Sequence, residues 1–403
     1  MRQTMPVRLG AAEETLIAQL KAAGATEAAE RLTVAGLPTR RVESYHYTDL
    51  KTLLRTVPPM AEPANAGGRP ALDLAGAFRI EMVNGAVPVV ADAPAAVTFG
   101  KAEGGALTVR DDVLVHLNGA FARESLTVTV EETIDQVIEI DRRIEGAAGH
   151  SAGSVKIFVA DGAEATIVEV FSGSEAAHMG NHASYVALGK DAVLTHVTID
   201  LSARATTHFA TNEYQLAEGA RLRTLTIHAG AGLSRSQVFA RFAGEGAHAD
   251  FTGLNLVENG QHCDITLDVN HAVPNTTSSE LYKQIARGRS KAVFQGRIVV
   301  SRDAQKTDAK MMMQGLMLSD EAEILSKPEL EIYADDVVCG HGSTCGELDE
   351  DSMFYLMSRG IPKQEAETML VRGFLAELLD PIEDEGLAAA LNGVVDGWLL
   401  GGR

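Results

Sequence analysis

Thiol and imidazole groups come together at one place in the chain, Cys339-Gly340-His341-Gly342-Ser343-Thr344-Cys345. Cys339 and His341 stand two apart, so on a strand both side chains leave the same face. A thiolate beside an imidazole suits a soft or borderline metal such as zinc or iron. Two donors are too few for a closed tetrahedral site, so a distant residue or a second chain must complete it. Cys345, six residues on, could swing in. The same residues equally describe a buried structural cysteine and a hydrogen-bonded histidine at a glycine-rich turn.

Other chemistry is harder to find. Neither Gly100-Lys101 nor Gly189-Lys190 is followed by Ser or Thr, so there is no Walker A loop, and no Gly-x-Gly-x-x-Gly follows a strand. His-Glu-x-x-His and Pro-Cys-x-x-Cys are also absent. Asp335 and Asp336 could serve as an acid/base pair, but neighbours on a strand point to opposite faces. His262 and His271 flank Cys263–Val269 and could form a polar ladder with Asp264 and Asp268, or an ordinary exposed face. Met311, Met312, Met313 and Met317 read as strand core, since no His or Cys is interleaved.

The elements that must hold these residues are mostly strands. After Pro94 no proline occurs until Pro274, a gap of 179 residues, as expected where ladders need every N–H. Within the gap the period is two. Val193, Thr195, Val197, Ile199 and Leu201 share one face, with Leu194, His196, Thr198 and Asp200 on the other. Gly-centred turns feeding strands recur at Gly162, Gly189, Gly219 and Gly246, spaced 27, 30 and 27 residues, with a later echo at Ser319. Such a repeat fits a β-solenoid, and also an antiparallel sandwich.

Helical patterns lie at both ends. Residues 11–34 carry Leu16, Ile17 and Leu20 at helical spacing, enough for two short helices. Beyond Gly346 an acidic helix start is expected at Glu347–Asp351, a C-cap at Gly360, and Pro362 as the first residue of a further helix. The stripe Ala366, Met369, Leu370, Gly373, Phe374, Leu378 follows, and then a last helix with Leu387, Leu391, Val394, Val395 and Trp398. The expected division is an N-terminal helical region over 1–56, a Pro/Gly linker and entry over 57–95, a strand body over 96–346 and helices over 347–403.

Charge narrows the class of partner. The 403 residues carry 35 Lys+Arg against 55 Asp+Glu, a net −20, and 14 of that excess fall in residues 319–403. Nucleic acid and anionic membranes need a basic footprint, so neither is expected as a partner. No apolar leader follows Met1 and no window approaches a membrane span, while three cysteines are too few for a disulfide framework. The expectation is a soluble cytoplasmic protein.

The run from His262 to Gly360 adds a family. It holds Val269-Asn270-His271-Ala272-Val273-Pro274-Asn275-Thr276-Thr277-Ser278, Phe294-Gln295-Gly296-Arg297-Ile298 and Ala304-Gln305-Lys306-Thr307-Asp308-Ala309. Lys327-Pro328-Glu329-Leu330-Glu331-Ile332-Tyr333-Ala334-Asp335-Asp336-Val337, Cys339-Gly340-His341-Gly342-Ser343-Thr344 and Phe354-Tyr355-Leu356-Met357-Ser358-Arg359-Gly360 follow. Together with Leu37–Leu50 these segments resemble the SufB/SufD family of iron–sulfur cluster assembly proteins, and specifically its SufD members. The resemblance covers roughly residues 35–380.

This resemblance implies a right-handed parallel β-helix (a β-solenoid) flanked by helical segments. It implies a non-catalytic scaffold that pairs with SufB and binds the ABC-type ATPase SufC, rather than the alternative of a β-helix polysaccharide lyase or hydrolase. Cys339 and His341 map onto the Cys-x-His implicated in building the nascent cluster at the SufB interface. SufC would dock around Glu347–Leu379, with Glu347, Leu348, Phe354, Tyr355 and Arg359 as candidate contacts. No cofactor is expected to stay tightly bound to the isolated chain. Iron or a transient iron–sulfur cluster would be held together with SufB, the assembled complex admits a flavin, and a homodimer is open when SufB is absent. Two positions depart from the family pattern: Cys345 replaces an aliphatic residue and inherits no role, and Gly340 replaces a common serine.

Overall fold

The structure, a computed structural model, describes residues 8–62, 64, 67, 69–105 and 111–401. Helices α1 (Ala11–Ala22), α2 (Thr26–Ala35) and the short α3 (Leu50–Leu53) come first, followed by β1 (Phe78–Val83), β2 (Val97–Glu103), α4 (Val113–Phe121) and β3 (Glu124–Val130). Strand then follows strand: β4 (Ile138–Ile144), β5 (His150–Val159), β6 (Glu164–Gly173), β7 (Met179–Leu188), β8 (Val193–Asp200), β9 (Thr207–Leu216) and β10 (Arg221–His228). The series continues with β11 (Leu233–Phe242), β12 (His248–Glu258), β13 (His262–His271), β14 (Thr277–Arg287), β15 (Lys291–Val300), β16 (Asp308–Met317), β17 (Glu323–Ile332) and β18 (Val338–Gly346). Helices α5 (Glu350–Ser358), α6 (Lys363–Leu379) and α7 (Glu385–Leu399) close the described chain.

Two nine-stranded sheets result, one of β1, β4 and every even strand to β18, the other of β2, β3 and every odd strand from β5 to β17. Apart from the antiparallel β2–β3 pair, every pairing is parallel. Consecutive strands alternate between sheets, so the chain coils through about eight turns of a parallel β-solenoid, and the sandwich reading is set aside. Within the 57–95 stretch read as linker, β1 pairs with β4, and Met60 bridges to His150. Of the prolines and glycines there, Pro63 and Gly68 lie outside the described residues.

The turns explain the repeat and its gaps. Two residues before a strand, the chain takes a positive φ at Gly162 (71°), Asp191 (55°), Gly219 (67°), Gly246 (71°), Asn275 (56°) and Lys306 (65°). Each of these residues donates its N–H to the equivalent turn one coil on, as from Gly162 to Lys190 O (2.8 Å) and from Lys306 to Asp336 O (2.6 Å). Glycine takes this conformation freely and asparagine nearly so, whereas lysine bears a steric cost.

Helices cover both outer faces. Val168, Val170, Val197, Ile199, Leu225 and Leu254 pack under Val371, Leu375, Leu391 and Trp398 of α6 and α7. On the other sheet, Met179 and Phe209 meet α1, α2 and α4. The stripe expected on α6 is shifted: Val371 and Leu375 are buried, while Met369 is 46% exposed. Basic residues of β14 clamp the helices, since Lys283 donates to Phe374 O (2.7 Å) and Arg287 to Trp398 O (2.8 Å). Buried cations with such fixed partners anchor a helix more specifically than apolar area alone does.

The lumen is not uniformly apolar. Leu194 belongs to the inner core, and on the same face of β8 His196 contacts Tyr214 of the opposite sheet (2.8 Å). His196 also lies 3.0 Å from Glu169, which accepts from Arg142 (2.7 Å), all of them buried. Burial by itself would raise the Glu169 carboxyl, but Arg142 and His196 hold it down at about 2. Further along, Glu280 is buried without a basic partner. Burial pushes its carboxyl up to about 8 against a weaker pull from Ser278.

Two predictions follow from these strained and buried positions. Lys306→Gly removes the left-handed strain and an exposed ion pair of little worth, so stability should rise by about 1 kcal/mol, read as a higher denaturant midpoint. The two lumen acids should act with opposite sign. Glu169 is depressed, so its contribution is present above about pH 4.5 and is lost as the pH falls towards 2. Glu280 is raised, so its folded form is unpenalised below about pH 4.5 and stability falls as the pH rises to 8. Urea titrations should therefore find Glu169→Gln losing the acid limb. Glu280→Gln should gain on the parent progressively between pH 4.5 and 8; a pH-independent difference would refute that assignment.

Candidate functional site

The last coil is built differently from the others. Among the described residues β18 pairs with β16 alone and β17 with β15 alone, so each presents one bare edge, as β1 and β2 do at the other end of the two sheets. Along β18, Cys339 stands opposite Ala309, His341 opposite Met311, Ser343 opposite Met313 and Cys345 opposite Gly315. Ala309, Met311 and Met313 belong to the lumen core, so these four β18 residues continue its columns to the open end. Cys339 is half-buried against that core and His341 is exposed.

The strand therefore brings Cys339 and His341 to one face, as their spacing implies. It does not bring Cys345 to them: at about 3.3 Å per residue the six-residue separation is roughly 20 Å. The idea that Cys345 completes the pair is corrected by the extended backbone. Among the described residues no group of three or more His, Cys, Asp or Glu side chains is arranged to hold a metal ion. Cys339 and His341 are a half-site, chemically suited to iron but short of donors.

The Cys339 thiol is pushed up by burial and by the nearby Asp308 and Glu280, against a backbone hydrogen bond from Ala309. It stays protonated at neutral pH, and a cation is needed to displace the proton. Glu280 lies in the column Phe251–Glu280–Met311–His341, two strands behind His341.

The remaining candidates separate. Asp335 and Asp336 sit in the turn between β17 and β18, where Asp336 pairs with Lys306, and form no dyad. His262, Asp264 and Asp268 share the outer face of β13, whereas His271 points inward, stacked on Phe242 (4.3 Å) and bonded to Thr276 (2.8 Å). Met311 and Met313 are core, as expected, whereas Met312 is exposed on the opposite face of β16 and Met317 is half-buried. Sequence reasoning missed the node that fixes the N-terminal motif. Asp264 takes Arg235 and Thr48, Arg235 also donates to Ser44 O (2.7 Å), and its guanidinium lies 4.2 Å from the Tyr45 ring. A buried arginine opposite an aspartate 29 residues on, on the neighbouring strand of the sheet, is invisible without the register.

Beyond β18 the chain enters α5, whose N-cap Asp349 accepts from Ser352 N (2.7 Å). No residue of α5 is buried. Phe354 is 74% and Tyr355 55% exposed, and Arg359 donates to Tyr355 Oη (3.0 Å). Glu347 is exposed, while Leu348 is half-buried against the α6–α7 core. Of the segment 347–379, then, α5 is surface and the inner side of α6 is occupied.

Known proteins resemble this chain in sequence. Residues 142–374 match the SufBD core domain of the SUF system of FeS cluster assembly. The iron–sulfur cluster assembly protein SufD of Escherichia coli is 31% identical over 379 residues, covering 89% of this chain and 88% of that protein. A SufBD family protein of Synechocystis is 28% identical over 88% of this chain and 86% of its own length. Protein ABCI7 of Arabidopsis thaliana, which is chloroplastic, is 28% identical over 92% and 84%. With the solenoid, its open final coil and the flanking helices, these matches establish that the chain belongs to the SufB/SufD family of iron–sulfur cluster assembly proteins and is SufD-like within it.

Proposed function

We propose that this chain is a non-catalytic scaffold subunit that pairs with SufB through its last coil and binds SufC through α5. The observation that carries the reading is the open end of the solenoid. Two bare strand edges invite another chain's strands, and Ile332, Tyr333 and Val338 leave apolar surface exposed beside them. At that end Cys339 and His341 offer half a ligand set, which SufB would complete around iron or a nascent cluster, held as cargo. The thiol keeps its proton until the cation and the partner arrive together. When SufB is absent, the same edges could pair two copies of this chain.

The exposed Phe354 and Tyr355, with Arg359 against the ring, support α5 as the SufC dock, since aromatic and arginine residues dominate binding energy at interfaces. The clamp of α6 and α7 on the solenoid would carry movement of the ATPase to the scaffold. The compartment proposed is the cytoplasm, and among the described residues no helix is long and apolar enough to cross a membrane. No resident cofactor is assigned; a flavin belongs, if anywhere, to the assembled complex. Nucleic acid is not a proposed partner of so acidic a chain.

Co-expression with SufB and SufC followed by size-exclusion chromatography should give one complex containing this chain; migration apart from both would refute the reading. In that complex Cys339→Ser and His341→Ala should preserve assembly and lower iron and sulfide content, whereas Cys345→Ser, roughly 20 Å away along the strand, should leave both unchanged. Phe354→Ala should weaken SufC binding about tenfold in calorimetry while pairing with SufB persists.

A further inference from the structure

A cleft on the outer side of the β11–β13–β15–β17 surface reaches the last odd strand at Lys327 and Glu329 and includes neither Cys339 nor His341. It has two arms that share Val42, Ser44, Asp111 and Asp112 as a common wall. One arm, about 670 Å³, runs between α2 and α4 past Ala28, Leu32 and Leu117. The other, about 380 Å³, lies over Gln237, Gln295, Arg297 and Lys327.

The first arm is apolar and leaves Val34 76% and Val42 46% exposed at its lip, more than isolated surface valines require. The bases of both arms are already saturated by carboxylates. Arg31 is shared by Glu27 (3.1 Å) and Asp111 (3.7 Å), Arg297 by Asp268 (2.5 Å) and Glu331 (3.2 Å), and Lys327 by Glu43 and Glu329. Glu30 and Asp112 line the cleft as well, so acid is in surplus. In the polar arm Gln237 is buried and its Oε1 accepts no hydrogen bond. A buried acceptor without a donor calls for an N–H from a ligand or water.

We propose that this cleft receives an amphipathic basic segment of a partner protein, with apolar residues in the arm between α2 and α4 and Lys or Arg in the arm over Gln237. Apolar anchors at helical spacing would lie along α2, the helix-in-groove mode, and the cation at the segment's end would meet the carboxylate surplus and the Gln237 carbonyl. A second copy of this chain is a poor occupant, because its net −20 would set acid against acid.

The test uses the full-length protein and a fluorescein-labelled Leu/Lys peptide of about four helical turns, about 14 residues. Anisotropy should report micromolar binding that falls as salt rises. Ala35→Trp, which fills the apolar arm from an exposed position, and Glu30→Lys should each weaken it about tenfold, with unchanged melting midpoints. A scrambled peptide without an apolar face and a Leu/Glu peptide should bind at least about tenfold more weakly. Equal binding by either control peptide, equal binding by both variants, or no binding at millimolar peptide overturns the proposal. So does a concentration-dependent dimer abolished by Ala35→Trp, which would make the occupant a second copy.

Discussion

Parallel strand pairing between successive coils is the constraint on which the rest of this molecule depends. Each coil satisfies the backbone of the one before it, so hydrogen bonding is complete everywhere except at the ends. At the start, β2 folds back antiparallel on β3 and α4 lies nearby. At the far end β17 and β18 have no further strand partner among the described residues. A solenoid must end somewhere, and this one ends with two bare edges and with Cys339 and His341 in the final inward columns.

The same stacking governs the lumen. Because inward positions line up coil by coil, one polar residue in a column meets the next, and Arg142, Glu169, His196 and Tyr214 can satisfy one another across coils and sheets. A buried ion pair of this kind adds little net stability, but it penalises any slip of register, since a shift by one residue would strand charges in an apolar wall. Glu280 has no such partner. Burial instead pushes its carboxyl up to about 8, so its charge behind Met311 and His341 develops only as the pH rises through that range.

How much of this was legible in the sequence depends on which chemistry marks it. The proline gap and the period-two alternation reveal strands because both are backbone requirements. The Gly162, Gly219 and Gly246 turns reveal the coil length because glycine occupies the left-handed position there. The repeat then fades at Asn275 and Lys306, where other residues take the same φ at some cost. In the second copy the motif's glycine is not the residue with positive φ; Asp191 is. That Cys339 and His341 share a strand face was legible from their spacing. The distance of Cys345, the inward turn of His271 and the Arg235–Asp264 node were not, because each depends on register between segments far apart in sequence.

If Cys339 and His341 hold iron as proposed, two donors on an open edge cannot close a coordination shell alone, and this follows from coordination chemistry rather than from any regulatory element. Iron held by one thiol and one imidazole would keep most of its coordination positions for water and exchange freely. The Cys339 thiol, raised by burial and by Asp308 and Glu280, will not ionise for so weakly held a cation. Closing the coil's edge with another chain changes both terms at once: it brings further donors and removes water from the strand end. On the proposed reading, affinity for the cargo is thereby tied to assembly. Release would then be tied to whatever parts the edges again, and the helices clamped through Lys283 and Arg287 would give a force on the proposed dock at α5 a path to the strands beneath.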